Sequence, residues 1–404
     1  MKSEGEKECF IISSAQLVDG KNAGARRVRL VSKSLAHKGV KVFICTLFDI
    51  QGKINEIKEL TPGVFALSGG ERQNGEKLSV LKFIKAIKQF IDLRKSERVI
   101  YLYPTTFIFK DFFYLIYFKF IGRYRFFCDI NELRSSISFF SLPTGSFHTR
   151  LWYYVKSPVE WVFYKLNEFQ ALFYDGIVVI STTLKKHYSI YTKSSLRVPI
   201  LCDSDQIIKS DSLRWLPGEP FRICFAGYIS FAKEGFDIML RALSEVQDSY
   251  RVDLFLYGFL DQKNKVRIDR LALKLGIEGN IKYMGNLDPS LLQTEYLKYH
   301  LLILPRPSNR VTRYGFSTKL SEYLMSGRPV MATDVSDNSM YLRDNYNCFL
   351  IKPGSSIVMS ERIRGIINRY NHQAASIVEG AHDTAREELD YRLFSEELIR
   401  FIYK

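Results

Sequence analysis

The chain is short of most features that would place a protein quickly. No stretch reaches the ~18 uninterrupted apolar residues of a membrane-spanning helix. The opening MKSEGEKECFIISSAQ carries acidic side chains and only a short apolar run where a secretory leader needs a longer one, so a cytoplasmic protein is expected. Its six cysteines, at 9, 45, 128, 202, 224 and 348, include no CxxC pair, which argues for reduced, buried thiols and against disulfides. Short-period repeats and low-complexity tracts are missing. So are zinc-finger spacing, an RNA-recognition signature and a helix-turn-helix, and no nucleic-acid partner is expected.

What is present fits two globular domains. The 404 residues exceed one ordinary core, and 46% hydrophobic with 25% charged residues is a soluble protein's balance. The net charge of +15 is lopsided: residues 1–200 hold 31 Lys and Arg against 17 Asp and Glu, whereas 201–404 hold 27 against 26. A field confined to one half predicts a polyanionic partner for that half, such as an anionic membrane surface or a phosphorylated acceptor.

Short β-branched and aromatic runs alternate with helical patterns along the whole chain. CFIISSAQL, ARRVRLVSKSLAHKG and VKVFICTLF begin the series, and FRICFAGY, FDIMLRALSEVQ and RVDLFLYG restart it after residue 220. This alternation predicts an α/β protein of two Rossmann-like, doubly wound parallel-sheet domains. The expected division is 1–200, which is basic; 201–385; and 386–404, a terminal helix packing back on the first domain. The segment VPILCDSDQIIKSDSLRWLPGEP reads as the linker.

Three stretches could carry chemistry, since ligands of open α/β sheets bind where strands end and helices begin. In DGKNAGARR (19–27), Gly20 and Gly24 would let the backbone approach a ligand while Lys21, Arg26 and Arg27 add charge. It is neither GxGxxG nor GxxxxGK[ST], and a plain strand–helix turn accounts for it equally. In FAGYISFAKEGFDIMLRAL (225–243), Gly227 follows a strand, and Lys233 either meets a phosphate or is a solvated lysine at a helix start. In RYGFSTKLSEYLMSGRPV (313–330), a helix is expected from about Thr318, ending at Gly327. Free amides near Ser317 and Thr318 would make an anion site, and Lys319 and Glu322 share a face; the alternative is a surface ion pair worth ~0.3–0.5 kcal/mol. Asp203 and Asp205 in CDSDQ are assigned to the linker, and no metal or other cofactor is expected.

Together, Gly227, Lys233-x-Gly235 and GFSTKLSEYLMSGRPVMATDV followed by NCFLIKPG resemble the family 4 retaining glycosyltransferases of GT-B fold, of bacterial surface-polysaccharide type. GARRVRLVSKSLAHKGVKV extends the likeness to the first helix and second strand. The resemblance implies two domains facing a central cleft and transfer of a sugar from a UDP- or GDP-linked donor to a glycan or lipid-linked acceptor. It implies Lys233 on the donor diphosphate, Glu322 on the ribose, and Ser317, Thr318 and Lys319 at the phosphate end. It departs from the family at Tyr314, eight before Glu322, where many members carry a second acid, and at Tyr228, where an arginine is usual; either Arg306, Arg310 or Arg313 compensates or donor binding is weaker. FFCDINELRSS (126–136) is similar to an Asp-x-His-Glu segment facing the sugar, with Asn131 where the histidine would be. Asn can hold a hydroxyl but cannot act as a base, which leaves Asp129 and Glu132 either to orient the acceptor, beside Arg26, or to serve a capping or structural role. Rival readings are a nucleotide-sugar epimerase-like enzyme and a degenerate, non-catalytic binding subunit.

The basic half is also aromatic. SVLKFIKAIKQFIDLRKS (79–96), KDFFYLIYFKFIGRYRFF (110–127) and TRLWYYVKSPVEWVFYKLNEFQALFY (149–174) interleave the two residue types. In the first, Leu81, Ile84, Ile87, Phe90 and Ile91 fall along one side. Each stretch fits either a helix packed on a sheet or one lying in a membrane interface, and with the charge they predict peripheral contact with the inner face of the cell membrane.

Overall fold

The computed structural model describes residues 6–18, 22–46, 56–68, 79–104, 108–136, 147–210 and 213–404. They form two compact units, Met1–Leu201 with Tyr391–Lys404, and Cys202–Asp390.

The first unit holds an eight-stranded sheet of β1 (Lys7–Ser13), β2 (Lys41–Thr46), β3 (Ile57–Thr61), β4 (Val64–Ser68), β5 (Glu97–Leu102), β6 (Arg125–Ile130), β7 (Gly176–Val179) and β8 (Ser195–Arg197). Their order is β3-β4-β2-β1-β5-β6-β7-β8, parallel throughout except the edge strand β3. The near-continuous apolar runs the sequence shows for β1, β2 and β5 are what strands covered on both faces require. Helix Ala23–Ala36 covers one face: Asn22 caps it by accepting the Ala25 N–H at 2.8 Å, and Val28, Val31 and Leu35 turn inward. The same face is closed by helix Ser395–Ile402, whose Leu398 and Ile402 are fully buried and whose Phe401 meets Phe127 edge-on at 5.5 Å.

Of the three basic aromatic stretches, the structure separates one from the other two. Helix Val80–Asp92 buries Phe83, Ile84, Ile87, Phe90 and Ile91 on the sheet, each worth about 1.5–3 kcal/mol, while Leu81, expected on that stripe, faces out. The helical arm Ile108–Tyr114, running on as π-helical Leu115–Ile121, and the long helix Phe147–Phe169 instead leave large side chains in the open.

The second unit has six parallel strands: β9 (Phe221–Ala226), β10 (Val252–Tyr257), β11 (Ile281–Gly285), β12 (Leu301–Leu304), β13 (Val330–Thr333) and β14 (Phe349–Ile351), in the order β11-β10-β9-β12-β13-β14. Winding starts at β9 and proceeds outward on both sides, so the order reverses between β9 and β12. A crevice outside the carboxyl ends of two such strands is where doubly wound sheets take ligands. The expected helix to Gly327 is shorter, Thr318–Leu324, because Ser326 Oγ donates to the Tyr323 carbonyl and the chain reverses at Gly327 with φ +71°. Within the stretch 198–220 read as the linker, Val198, Ile200, Leu201 and Cys202 are buried. All six cysteines are buried free thiols.

Candidate active site

The carboxyl ends of β9 and β12 converge because side chains are missing where backbones meet. Gly227, first residue beyond β9, has φ +140°, and its N–H donates to the Tyr257 carbonyl at 3.0 Å. Gly235, at φ +58°, lies against the chain leaving β12: a Cβ there would stand 2.3 Å from the Pro305 carbonyl oxygen. A Cβ at Gly235 would have to move backbone, and one at Gly227, besides its strained φ, would have to displace the Lys319 side chain.

Lys319 fills the space above Gly227. Its helix is pinned to the strand end by Tyr323, whose hydroxyl accepts the Ala226 N–H at 2.8 Å. The ammonium lies 4.6 Å from the centre of the Phe225 ring and donates to Glu234 Oε1 at 2.6 Å. Arg306, just after β12, donates to the same oxygen at 3.3 Å. Glu234 is buried, its Oε2 has no partner, and neither has the enclosed Arg306 Nε. Two cations therefore share one carboxylate, and the cluster carries surplus positive charge. Burial alone would raise the Glu234 carboxyl; Lys319, then Arg306, outweigh it and hold it below its ordinary range. Burial lowers the Lys319 ammonium, with Arg306 and Lys233 adding to the effect and Glu234 opposing it.

The donor-side residues expected from sequence are thus brought together in part. Gly227, Lys319 and Arg306 meet directly. Lys233 sits in the helical turn Phe231–Glu234, half-buried, close enough to depress Lys319. Ser317 is buried and Thr318 half-buried at the helix start; Ser317 does not cap with its side chain. Glu322, half-buried, follows one turn after Lys319, and its carbonyl accepts from Gln293 Nε2 at 3.5 Å. Arg310 and Arg313 are exposed, which leaves Arg306 as the arginine at the cluster. Tyr228 projects outward, stacked on Phe259 at 5.8 Å, its hydroxyl on Asp261. The sequence reading missed Glu234. The pairing of Lys319 across 85 residues leaves no local spacing signal.

In the first unit, Gly20 lies outside the described residues. Gly24 packs under Tyr103, whose hydroxyl would be 2.8 Å from a Cβ. Arg26 is half-buried, but Arg27, expected to add charge to the loop, turns into the core. Its Nε donates to both Asp129 oxygens at 3.0 Å and its other nitrogens to the Pro199 and Val198 carbonyls, while Tyr101 donates to Asp129 at 2.8 Å. Asp129 is fully enclosed; burial raises its carboxyl against the pull of Arg27 and Tyr101. Its place is that of a post tying β5, β6 and the chain after β8. Beside it, Asn131 Oδ1 is enclosed without a partner, and Glu132 is half-buried.

Two parallel-sheet α/β domains, with a glycine-lined cationic cluster where the second sheet reverses order, define a GT-B glycosyltransferase fold. Residues 213–382 match the family model for glycosyl transferases group 1, and the chain is a glycosyltransferase. The solved structures it resembles include sucrose-phosphate synthase from Thermosynechococcus elongatus, at TM-score 0.67 and 14% identity over 98% of each chain. HepE from Anabaena, solved with UDP and glucose, gives 0.65 at 15% identity over 98% of this chain and 99% of that one. A glycosyltransferase from Rickettsia africae gives 0.65 at 13% over 98% of each. No curated protein matches the chain significantly by sequence.

Proposed function

We propose that the chain transfers a sugar from a UDP- or GDP-linked donor, with retention at the anomeric carbon, to a glycan or lipid-linked oligosaccharide in cell-surface polysaccharide synthesis. The observation that carries this is the surplus positive charge of Lys319 and Arg306 over Glu234, at the order reversal of a glycosyltransferase domain. A departing diphosphate placed there gains two cationic donors in an enclosed site, the stabilisation that breaking the sugar–phosphate bond needs. Glu322, one turn along, takes the ribose hydroxyls, and Lys233 adds charge at the rim. Asn131, Glu132 and Arg26 are assigned to the acceptor, with Asp129 holding them in place. HepE, whose structure has also been solved with UDP-glucose, supports the donor class. The test is a binding screen of UDP-, GDP- and ADP-sugars against wild type and E322A. Saturable binding of one donor, lost in the variant, bears the reading out. Turnover of donor without acceptor would favour the epimerase-like alternative, and no binding by the folded protein the non-catalytic one.

A membrane-borne acceptor is favoured by the face the first unit leaves uncovered. Phe112, Phe113 and Phe120 on one helical arm and Trp161, Leu166 and Phe169 on the long helix are exposed, and the two elements touch through Phe109 and Phe163 at 5.4 Å. Exposed Arg123, Lys185, Lys186 and Lys193 lie on the adjoining segments, the last three within six residues of Tyr191 in sequence, whose ring meets Phe169 at 5.4 Å. Aromatic side chains rimmed by lysine and arginine suit the headgroup region of an anionic bilayer.

A further inference from the structure

Glu234 has the wrong sign for a site that takes an anion. An enclosed carboxylate repels a diphosphate, so its presence beside Lys319 and Arg306 needs another reason. The surroundings of Lys319 supply one. From β9 comes the apolar Phe225 ring; from the turn before Gly235 come Glu234 and Lys233; from the exit of β12 comes Arg306. Its own helix contributes Tyr323, engaged with the Ala226 backbone, and Glu322 one turn on. Without Glu234, three cations would crowd a site in which Lys319 and Arg306 are each only 15% exposed, and the cheapest relief is for Lys319 to lose its proton. A neutral lysine would give a phosphate far less.

We propose that Glu234 is a positioning residue that keeps Lys319 protonated and aimed across Gly227, and thereby fixes the upper pH at which the site holds a diphosphate. The inference rests on reading the cluster as the diphosphate site. The geometry suits a support that does not consume what it supports. Only Oε1 is used, and it is shared by both cations, so each keeps N–H groups for a further acceptor; Arg306 Nε, enclosed without a partner, is one.

The experiment is titration of the full chain with UDP, GDP and pyrophosphate between pH 6.5 and 10.5, comparing wild type, E234Q, E234D and R306Q. Wild type binds at neutral pH and loses affinity on an alkaline limb as Lys319 deprotonates. In E234Q that limb moves down by about 1–3 pH units, the scale on which a close opposite charge shifts a titrating group. E234D, keeping the charge, restores it toward wild type. R306Q removes a like charge and moves the limb the opposite way, whatever it does to affinity at its plateau. A purely structural role for Glu234 would weaken binding equally at every pH. Limbs in E234Q and R306Q coincident with wild type would overturn the proposal while leaving the donor site standing. Failure of wild type to bind any of the three probes would instead sink the donor reading, and this inference with it. Should E234Q fail to fold, E234S read beside E234D decides the matter: the limb moves down where the carboxylate is removed and stays near wild type where it is kept.

Discussion

Lys319 and Gly227 occupy one another's space: a Cβ on Gly227 would stand 2.0 Å from Lys319 Cε, and the glycine's φ of +140° is one that side-chain-bearing residues rarely adopt. The lysine can cross the strand end only because nothing projects from residue 227. G227A is expected to displace the ammonium and weaken UDP or GDP binding at least tenfold, with a stability loss of about 1–3 kcal/mol from backbone strain. Calorimetric binding beside urea unfolding checks both parts.

Removing Lys319 exposes the other side of the same contact. K319M leaves the buried Glu234 carboxylate with only the longer bond from Arg306, and breaking a buried pair from one side costs about 3–5 kcal/mol. Combining K319M with E234Q should recover most of that stability and none of the donor binding. A double-mutant cycle in urea, read beside nucleotide titration, separates the two effects.

Much of this was legible beforehand, and the part that was not has a physical reason. Alternating strands and helices, the glycine after β9 and the helix carrying Lys319 and Glu322 are local patterns, so periodicity and turn chemistry reveal them. Partners chosen by the folded chain are not local. Arg27 reads as a basic residue beside a glycine turn, yet it meets Asp129, 102 residues on, because the fold brings the start of its helix to the end of β6. The same blindness hid Glu234. With the aromatic stretches, residue type gave equal patterns for all three, and only the path of the chain decided that 80–92 buries most of its apolar side chains while 108–121 and 156–173 leave several large ones exposed.

His300 gives the second unit a pH dependence of its own. Its ring is buried, stacked on Phe221 at 4.9 Å, and Nδ1 accepts the Arg222 N–H at 2.9 Å. Burial, helped by Arg222 and Arg328, lowers it from 6.5 to about 4. The unfolded chain takes up this proton below pH ~6.5 and the folded chain does not until about 4, so the contribution is complete above 6.5 and lost as pH falls through that window. The loss is expected to reach about 3 kcal/mol. Urea unfolding of wild type and H300Q at pH 7.5, 5.5 and 4.5 should show the difference between them falling by that order.

The open aromatic face predicts selective membrane contact. Wild type should sediment with vesicles of phosphatidylcholine and phosphatidylglycerol far more than with phosphatidylcholine alone, and less at high salt. F112S/F113S should reduce the bound fraction tenfold or more with little change in urea midpoint, since both side chains are exposed already. Binding unaffected by the substitutions would move the partner elsewhere on the protein.

The helix Ser395–Ile402 completes the first unit although all of Cys202–Asp390 is strung between. During synthesis the second unit is thus whole while the first still lacks the cover over Phe127 and the partner of Ser34, whose hydroxyl donates to the Tyr391 carbonyl. The part made earliest is finished last. A ribosome stalled anywhere past residue 201 holds a basic domain with one apolar face unsealed, and a clipped tail would be felt not at its own end but in the sheet that begins at Lys7.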